Sequence, residues 1–151
     1  KPQIESMIKK EVFEIDQFAE DLCEIEYEGL RFVLKRNPKR AEKIGNNRND
    51  QIRKIRSLLL ELNSQLEQKP KSKIEVAVAK IEQKIKTYKL TKVLSIQIEK
   101  DTRKITLKKS DANLQKLSKL DGCYVIKTNV SDKLLDTNEV HDSYKNLKFV
   151  E

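Results

Sequence analysis

Residues 22–38 read LCEIEYEGLRFVLKRNP, and this stretch decides how the chain starts to fold. Apolar residues alternate with charged ones on both sides of a two-residue turn that ends in Gly29, a pattern typical of a β-hairpin. Asn37 and Pro38 then end the second strand and open a helix, because proline is favoured in the first helical turn. The stretch therefore predicts a hairpin over residues 22–36 that leads directly into a helix.

Two amphipathic helices are predicted next, over residues 38–68 and 74–90, with the helix-breaking residues 69–73 between them. Their apolar residues recur at spacings of three and four: Ile52, Ile55, Leu59, Leu62 and Leu66 in the first helix, and Ile74, Val78, Ile81, Ile85 and Tyr88 in the second. Stripes this narrow are typical of paired helices, so we expect an antiparallel helical hairpin similar to a short coiled coil. Gly45 is a weak point of the first helix.

Shorter elements complete the pattern. Three of them are predicted before residue 121: a helix over 3–19, a second hairpin over 93–108 and a short helix over 111–120. Residues 123–129 begin with four successive apolar positions, which indicates a strand covered on both faces. Asp136 and Glu139 have the spacing of a capping box and predict a helix that runs to the end of the chain. Together these elements predict an α+β fold.

The charge is concentrated in the middle of the chain. The net charge is +8 over 151 residues, but residues 1–30 carry nine acidic and three basic side chains, a net of −6. Residues 31–92 carry 18 basic and six acidic side chains, a net of +12, and residues 93–151 add +2. A basic block of this kind attracts phosphate backbones. A solvated, lysine-rich helical surface accounts for the same charge.

The composition excludes several kinds of site. The chain has one His, two Cys and three Gly, too few for a structural zinc site of the usual kind or for a glycine-rich phosphate loop. We expect His141 on the surface, and Cys23 and Cys123 as buried thiols. The apolar runs are far shorter than the roughly 20 residues that span a bilayer. No secretory signal is visible, so we expect the cytoplasm and no membrane partner.

The last predicted helix carries a carboxylate in an unusual place. Val140, Tyr144 and Leu147 form its apolar stripe, and the next position on that stripe is Glu151. A carboxylate on an apolar stripe is costly unless it is paired, and a metal ion is one possible partner. A frayed helix end, at which Glu151 has no function, is the alternative.

Three stretches together resemble a known family: LRFVLKRNPKRAE at 30–42, DGCYVIKTN at 121–129 and YKNLKFVE at 144–151. They are similar, in order and spacing, to passages of the DDE-class transposases of bacterial and archaeal insertion sequences. The resemblance covers roughly residues 25–151. One departure is Leu147, where the family's terminal signature often has a basic residue.

The resemblance implies a mobile-element enzyme of DNA transposition and recombination with an RNase H-like core. Such enzymes hold two divalent ions, Mg²⁺ or Mn²⁺, on two Asp and one Glu, and cleave and rejoin phosphodiesters. It implies that Glu151 is the catalytic, metal-binding Glu and that both Asp precede Lys1, since Asp16 and Asp21 are in the wrong context. We therefore read the chain as a piece of a longer prokaryotic protein. We expect this piece alone to hold no ion and to have no activity.

On the same reading, residues 1–120 are an insertion subdomain, and residues 121–151 are a strand and helix of an incomplete catalytic core. DNA, as transposon ends and target, is the implied partner, and a homodimer is possible. The candidate phosphate contacts are Arg31, Lys35, Arg36, Lys39, Arg40, Lys43, Arg48, Arg53, Lys54 and Arg56. The alternative function is a non-catalytic nucleic-acid-binding or dimerising module built on the helical hairpin.

Overall fold

The computed structural model describes residues 2–99 and 101–146, and within these the chain is an α+β protein. The elements, in order, are α1 (Pro2–Lys9), a 3₁₀ helix (Ile15–Ala19), β1 (Cys23–Tyr27), β2 (Leu30–Arg36), α2 (Pro38–Gln68), α3 (Ile74–Thr87), β3 (Leu94–Glu99), β4 (Lys104–Lys109), α4 (Asp111–Lys119), β5 (Cys123–Thr128) and α5 (Thr137–Asn146). They fall into two compact units. The central unit is Gly45–Ser118, and the terminal unit combines the residues up to Ile44 with those from Lys119 onward.

The terminal unit is built on a three-stranded antiparallel sheet in the order β1-β2-β5. Leu34 of the central strand lies opposite Cys23 on one side and Val125 on the other. One sheet face packs on an apolar cluster of Ile4, Phe13, Phe18, Phe32, Leu34 and Leu120. Val33 points to the other face and is also fully buried, and α5 contacts β2 and β5. Burial on both faces explains why Phe32, Val33 and Leu34 are three successive apolar residues, which strict alternation does not allow.

The turn before β5 depends on a glycine. Gly122 has φ of +76°, and a Cβ atom there would lie 2.3 Å from the carbonyl oxygen of Asn37. The Asn37 N–H donates to the Gly122 carbonyl at 2.9 Å. The start of α2 and the start of β5 are thereby held in direct backbone contact, which leaves no room for a side chain.

The central unit packs the two helical stripes and the β3–β4 hairpin into one core. Its most buried members are Ile55, Ile81, Leu90, Val93 and Ile105, each at most 2% exposed. Asn63 of α2 meets the edge of β4: its side-chain amide donates to the Ile105 carbonyl at 2.8 Å and accepts from the Ile105 N–H at 3.0 Å. One side chain thus satisfies both backbone groups of a buried residue.

Most of the predicted elements are confirmed. Both hairpins form, α2 runs unbroken through Gly45, and α3 packs against α2 through the predicted stripe. α5 starts with the predicted capping box, since Asp136 accepts from the Glu139 N–H at 2.8 Å and Glu139 accepts from the Asp136 N–H at 2.7 Å. The apolar strand at 123–128 pairs with β2.

The single helix predicted over 3–19 is wrong. α1 ends at Lys9, and Glu11 adopts a left-handed φ of 57°, which an α-helix cannot continue through. The chain resumes as a 3₁₀ helix, and Phe13 and Phe18 meet edge to face in the core with ring centroids 5.5 Å apart. The predicted end of α3 at residue 90 is also too late, because Lys89 has φ of 57° and Leu90 turns into the core.

The RNase H-like core and the division into 1–120 and 121–151 stay predictions about a longer protein. The two compact units are divided at other positions, and β5 pairs with β2 within the terminal unit. None of the helices in the described ranges is long and apolar enough to cross a membrane.

Candidate nucleic-acid interface

The basic excess belongs to one compact unit. Residues 45–118 carry 18 Lys and Arg against eight Asp and Glu, a net of +10. The rest of the chain carries 14 basic and 16 acidic side chains, a net of −2. The fold therefore gathers the positive charge on the helical hairpin and its β-hairpin.

Seven of the ten predicted phosphate contacts are exposed: Arg36, Lys39, Arg40 and Lys43 in the terminal unit, and Arg53, Lys54 and Arg56 in the central unit. Lys35 is half-buried, and Arg31 and Arg48 are buried. Arg36 donates from Nε to the Asp121 carbonyl at 3.1 Å, and Arg53 forms an ion pair with Asp50. The exposed side chains are accessible to a polyanion in the conformation described.

Arg31 lies inside the terminal unit instead of on its surface. Its Nε and Nη2 donate to the two carboxylate oxygens of Glu24 at 2.7 and 2.8 Å, and its Nη1 donates to the carbonyls of Val130 and Leu135 at 2.8 and 2.9 Å. Thr137 also donates to Glu24, at 2.7 Å. Because these bonds occupy four of its five N–H groups, Arg31 positions the segment between β5 and α5 and does not face a phosphate.

A groove of about 630 Å³ runs between α2 and α3 in the central unit, lined among others by Arg53, Lys54, Glu61, Lys84 and Tyr88. Tyr88 is half-buried against the central core, as predicted for a core residue, and the Lys84 ammonium lies 5.2 Å from the centroid of its ring. Asp50 and Glu61 offset much of the positive charge of this groove. The groove is therefore a poor pocket for a single small anion.

His141 is buried, with 4% of its surface exposed, so its predicted surface position is wrong. Its Nε2 and the Tyr124 hydroxyl form a 2.8 Å hydrogen bond, and the Tyr124 ring stacks on Tyr144 with centroids 5.9 Å apart. Burial, and then the charges of Lys145 and Lys35, lower the pKa of His141. Burial likewise raises the pKa of Tyr124. Both groups are held neutral, and they join α5 to β5.

This burial predicts a pH dependence. The unfolded chain protonates His141 near its ordinary pKa of 6.5 and the folded chain only at lower pH, so stability is complete above pH 6.5 and falls as the pH drops through the lowered folded pKa. Replacing His141 with Gln should remove that loss. The loss of stability is measured from urea unfolding midpoints of the two proteins between pH 7.5 and 5. Equal pH slopes in the two proteins would contradict the assignment.

A second group, the Glu24 carboxyl, titrates in a separate pH window. The hydrogen bonds from Arg31 lower the pKa of Glu24 below its ordinary 4.5, so its contribution is lost only at pH values under about 4.5. The acid limb below that pH should therefore persist when His141 is replaced with Gln.

Comparisons with known proteins add no identification. The chain matches no protein-family model, no curated protein and no solved structure.

The predicted metal ligand Glu151 lies outside the described residues, as does Leu147. In the part of the chain that the structure describes, no three His, Cys, Asp or Glu side chains are grouped so that they could hold a metal ion. The ion site that the resemblance implies includes Glu151 and therefore stays a prediction.

Proposed function

We propose that this chain is part of a DDE-class transposase and that its central unit contacts DNA. The observation that supports DNA contact is the charge separation between a unit of net +10 and a remainder of net −2. Lys and Arg side chains on exposed helical surfaces neutralise phosphates and release counterions, which makes the association strongly salt-dependent. The transposase assignment rests on the three stretches at 30–42, 121–129 and 144–151.

DNA contact is tested by titrating a duplex into the chain at several salt concentrations. We expect weak binding with a steep salt slope, and a loss of affinity when Arg53, Lys54 and Arg56 of the central unit are replaced with Ala. Each lost phosphate contact should lower the slope by about 0.9. All three side chains are exposed, so the substitutions should leave thermal unfolding nearly unchanged. Binding that is independent of salt, or absent at low salt, would refute the proposal.

The transposase assignment needs a different test. The full-length protein is expected to supply two Asp before residue 1 and to cut and join DNA with Mg²⁺ or Mn²⁺, whereas residues 1–151 alone are expected to be inactive. Replacing Glu151 with Gln in the longer protein should abolish strand transfer and leave duplex binding in place. Full activity in that variant would refute the role of Glu151.

A second candidate function is a non-catalytic nucleic-acid-binding or dimerising module. It is favoured by the separate apolar core of the central unit, which joins the helical hairpin, β3, β4 and α4. A longer protein without the two Asp, but with the same salt-dependent binding, would support this module over the transposase.

A further inference from the structure

The connection between α2 and α3 is an acid-free basic segment. Residues 69–73 read KPKSK, with three lysines in five positions. Lys69 and Lys73 line a groove of about 300 Å³ together with Lys80 from the next two turns of α3. No carboxylate is among the described residues that line it, in contrast to the groove beside Tyr88. We name Lys69, Lys71, Lys73 and Lys80 the tip cluster; all four side chains are exposed.

The backbone adds positive charge at the same place. α3 begins at Ile74, and its N-cap residue is Lys73, which makes no side-chain capping bond. The first turn of a helix presents N–H groups that its own helix leaves unpaired, and the helix dipole adds a partial positive charge. Glu75, in that turn, offsets part of this charge. Residues 69–80 nevertheless hold four lysines against one glutamate.

Arg103 holds the connection in one shape. Its guanidinium, in the turn just before β4, donates to the carbonyl of Pro70 at 2.6 Å and to that of Ser72 at 2.5 Å. Two bonds from a rigid planar group fix the turn between the helices. The backbone that carries Lys69, Lys71 and Lys73 is therefore ordered before a partner arrives, which lowers the entropy cost of binding.

We propose that the tip cluster is a phosphate-contacting surface that grips the backbone of duplex DNA. The proposal rests on the proposed function, that this chain binds DNA, and adds a second site to the same unit, after the C-terminal end of α2 and separate from Arg53, Lys54 and Arg56. The chemistry favours a phosphodiester backbone because the lysines are exposed point charges spread over the connection and the first two turns of α3. They form no buried pocket that would enclose a single small anion.

The test compares variants of equal charge change. In the tip variant Lys69, Lys73 and Lys80 are replaced with Ala, and in the control variant Lys86, Lys92 and Lys116, exposed residues of the same unit, are replaced with Ala. A duplex is titrated into each variant at several salt concentrations, and the slope of log affinity against log salt concentration is compared. In the tip variant this slope should be smaller in magnitude by about 2 to 3, near 0.9 for each lost contact. In the control variant it should be smaller by less than one. Replacing the three tip lysines with Arg should restore the slope.

The outcomes separate this proposal from the one it rests on. Equal slopes for the tip and control variants, with steep binding by the unmodified chain, would overturn the tip cluster and leave DNA binding in place. No duplex binding at low salt by the unmodified chain would overturn both. Binding to vesicles of anionic lipid that needs the tip lysines, without duplex binding, would assign the surface to a membrane instead.

Discussion

Replacing Ile81 with Ala is expected to destabilise the central unit by about 2–5 kcal/mol. Ile81 is 0% exposed and lies in the core that joins α2, α3 and the β3–β4 hairpin. The truncation removes buried methyl and methylene groups and leaves a cavity that packed helices close only in part. Urea unfolding followed by circular dichroism gives the change in free energy, and hydrogen exchange of peptides from residues 45–118 locates it.

Val76, on the same helix, provides the matched control. Its side chain is 54% exposed, so replacing it with Ala should change the free energy of unfolding by no more than about 0.5 kcal/mol. A cost below about 1 kcal/mol for the Ile81 substitution would show that the two helices do not pack as described.

Replacing Asn63 with Leu is the second large effect. The substitution leaves the N–H and the carbonyl of Ile105 without a hydrogen-bond partner. Both groups are buried and bond to the Asn63 side chain, at 3.0 and 2.8 Å respectively. A buried polar group that loses its partner costs about 1–3 kcal/mol, so the loss should exceed that of an ordinary surface substitution severalfold. Amide exchange at Ile105 should accelerate, which a change in hydrophobicity alone would not produce.

Gln65 lies two residues further along α2 and is exposed, with a side-chain bond to Glu61. Replacing Gln65 with Leu makes the same chemical change without stranding a backbone group, and should be nearly neutral. If the two substitutions lower the free energy of unfolding by the same amount, the hydrogen bonds from Asn63 do not stabilise β4.

The helices and hairpins were predictable because each is specified by a pattern of apolar and polar residues that repeats over a few positions. The spacings of three and four in the Ile52 and Ile74 stripes specify which helix face is apolar, whatever the rest of the chain does. The alternation around Gly29 and the capping box at Asp136 act over a few residues in the same way. The net charge of a segment is the sum of its side-chain charges, so the basic segment could also be identified from the sequence alone.

The candidate surface was predictable only in part. Seven of the ten nominated side chains are exposed, because polar helix faces point to solvent by default. Arg31, Lys35 and Arg48 are the exceptions. In the sequence, nothing about Arg31 in β2 distinguishes it from Arg36, which is exposed. The partners of Arg31 come from positions 99 and 104 residues away in the chain, Val130 and Leu135, so no local pattern could place it inside.

The sequence by itself determined the α+β class, the extent of α2, the paired apolar stripes and the concentration of positive charge. Only the tertiary structure decided that β5 completes a sheet with β2, that His141 is buried against Tyr124, and that Asn63 serves β4. These depend on contacts between residues 17 or more positions apart in the chain. Local periodicity specifies which face of an element is apolar, but the choice of partner for that face depends on packing and hydrogen bonding across the whole chain.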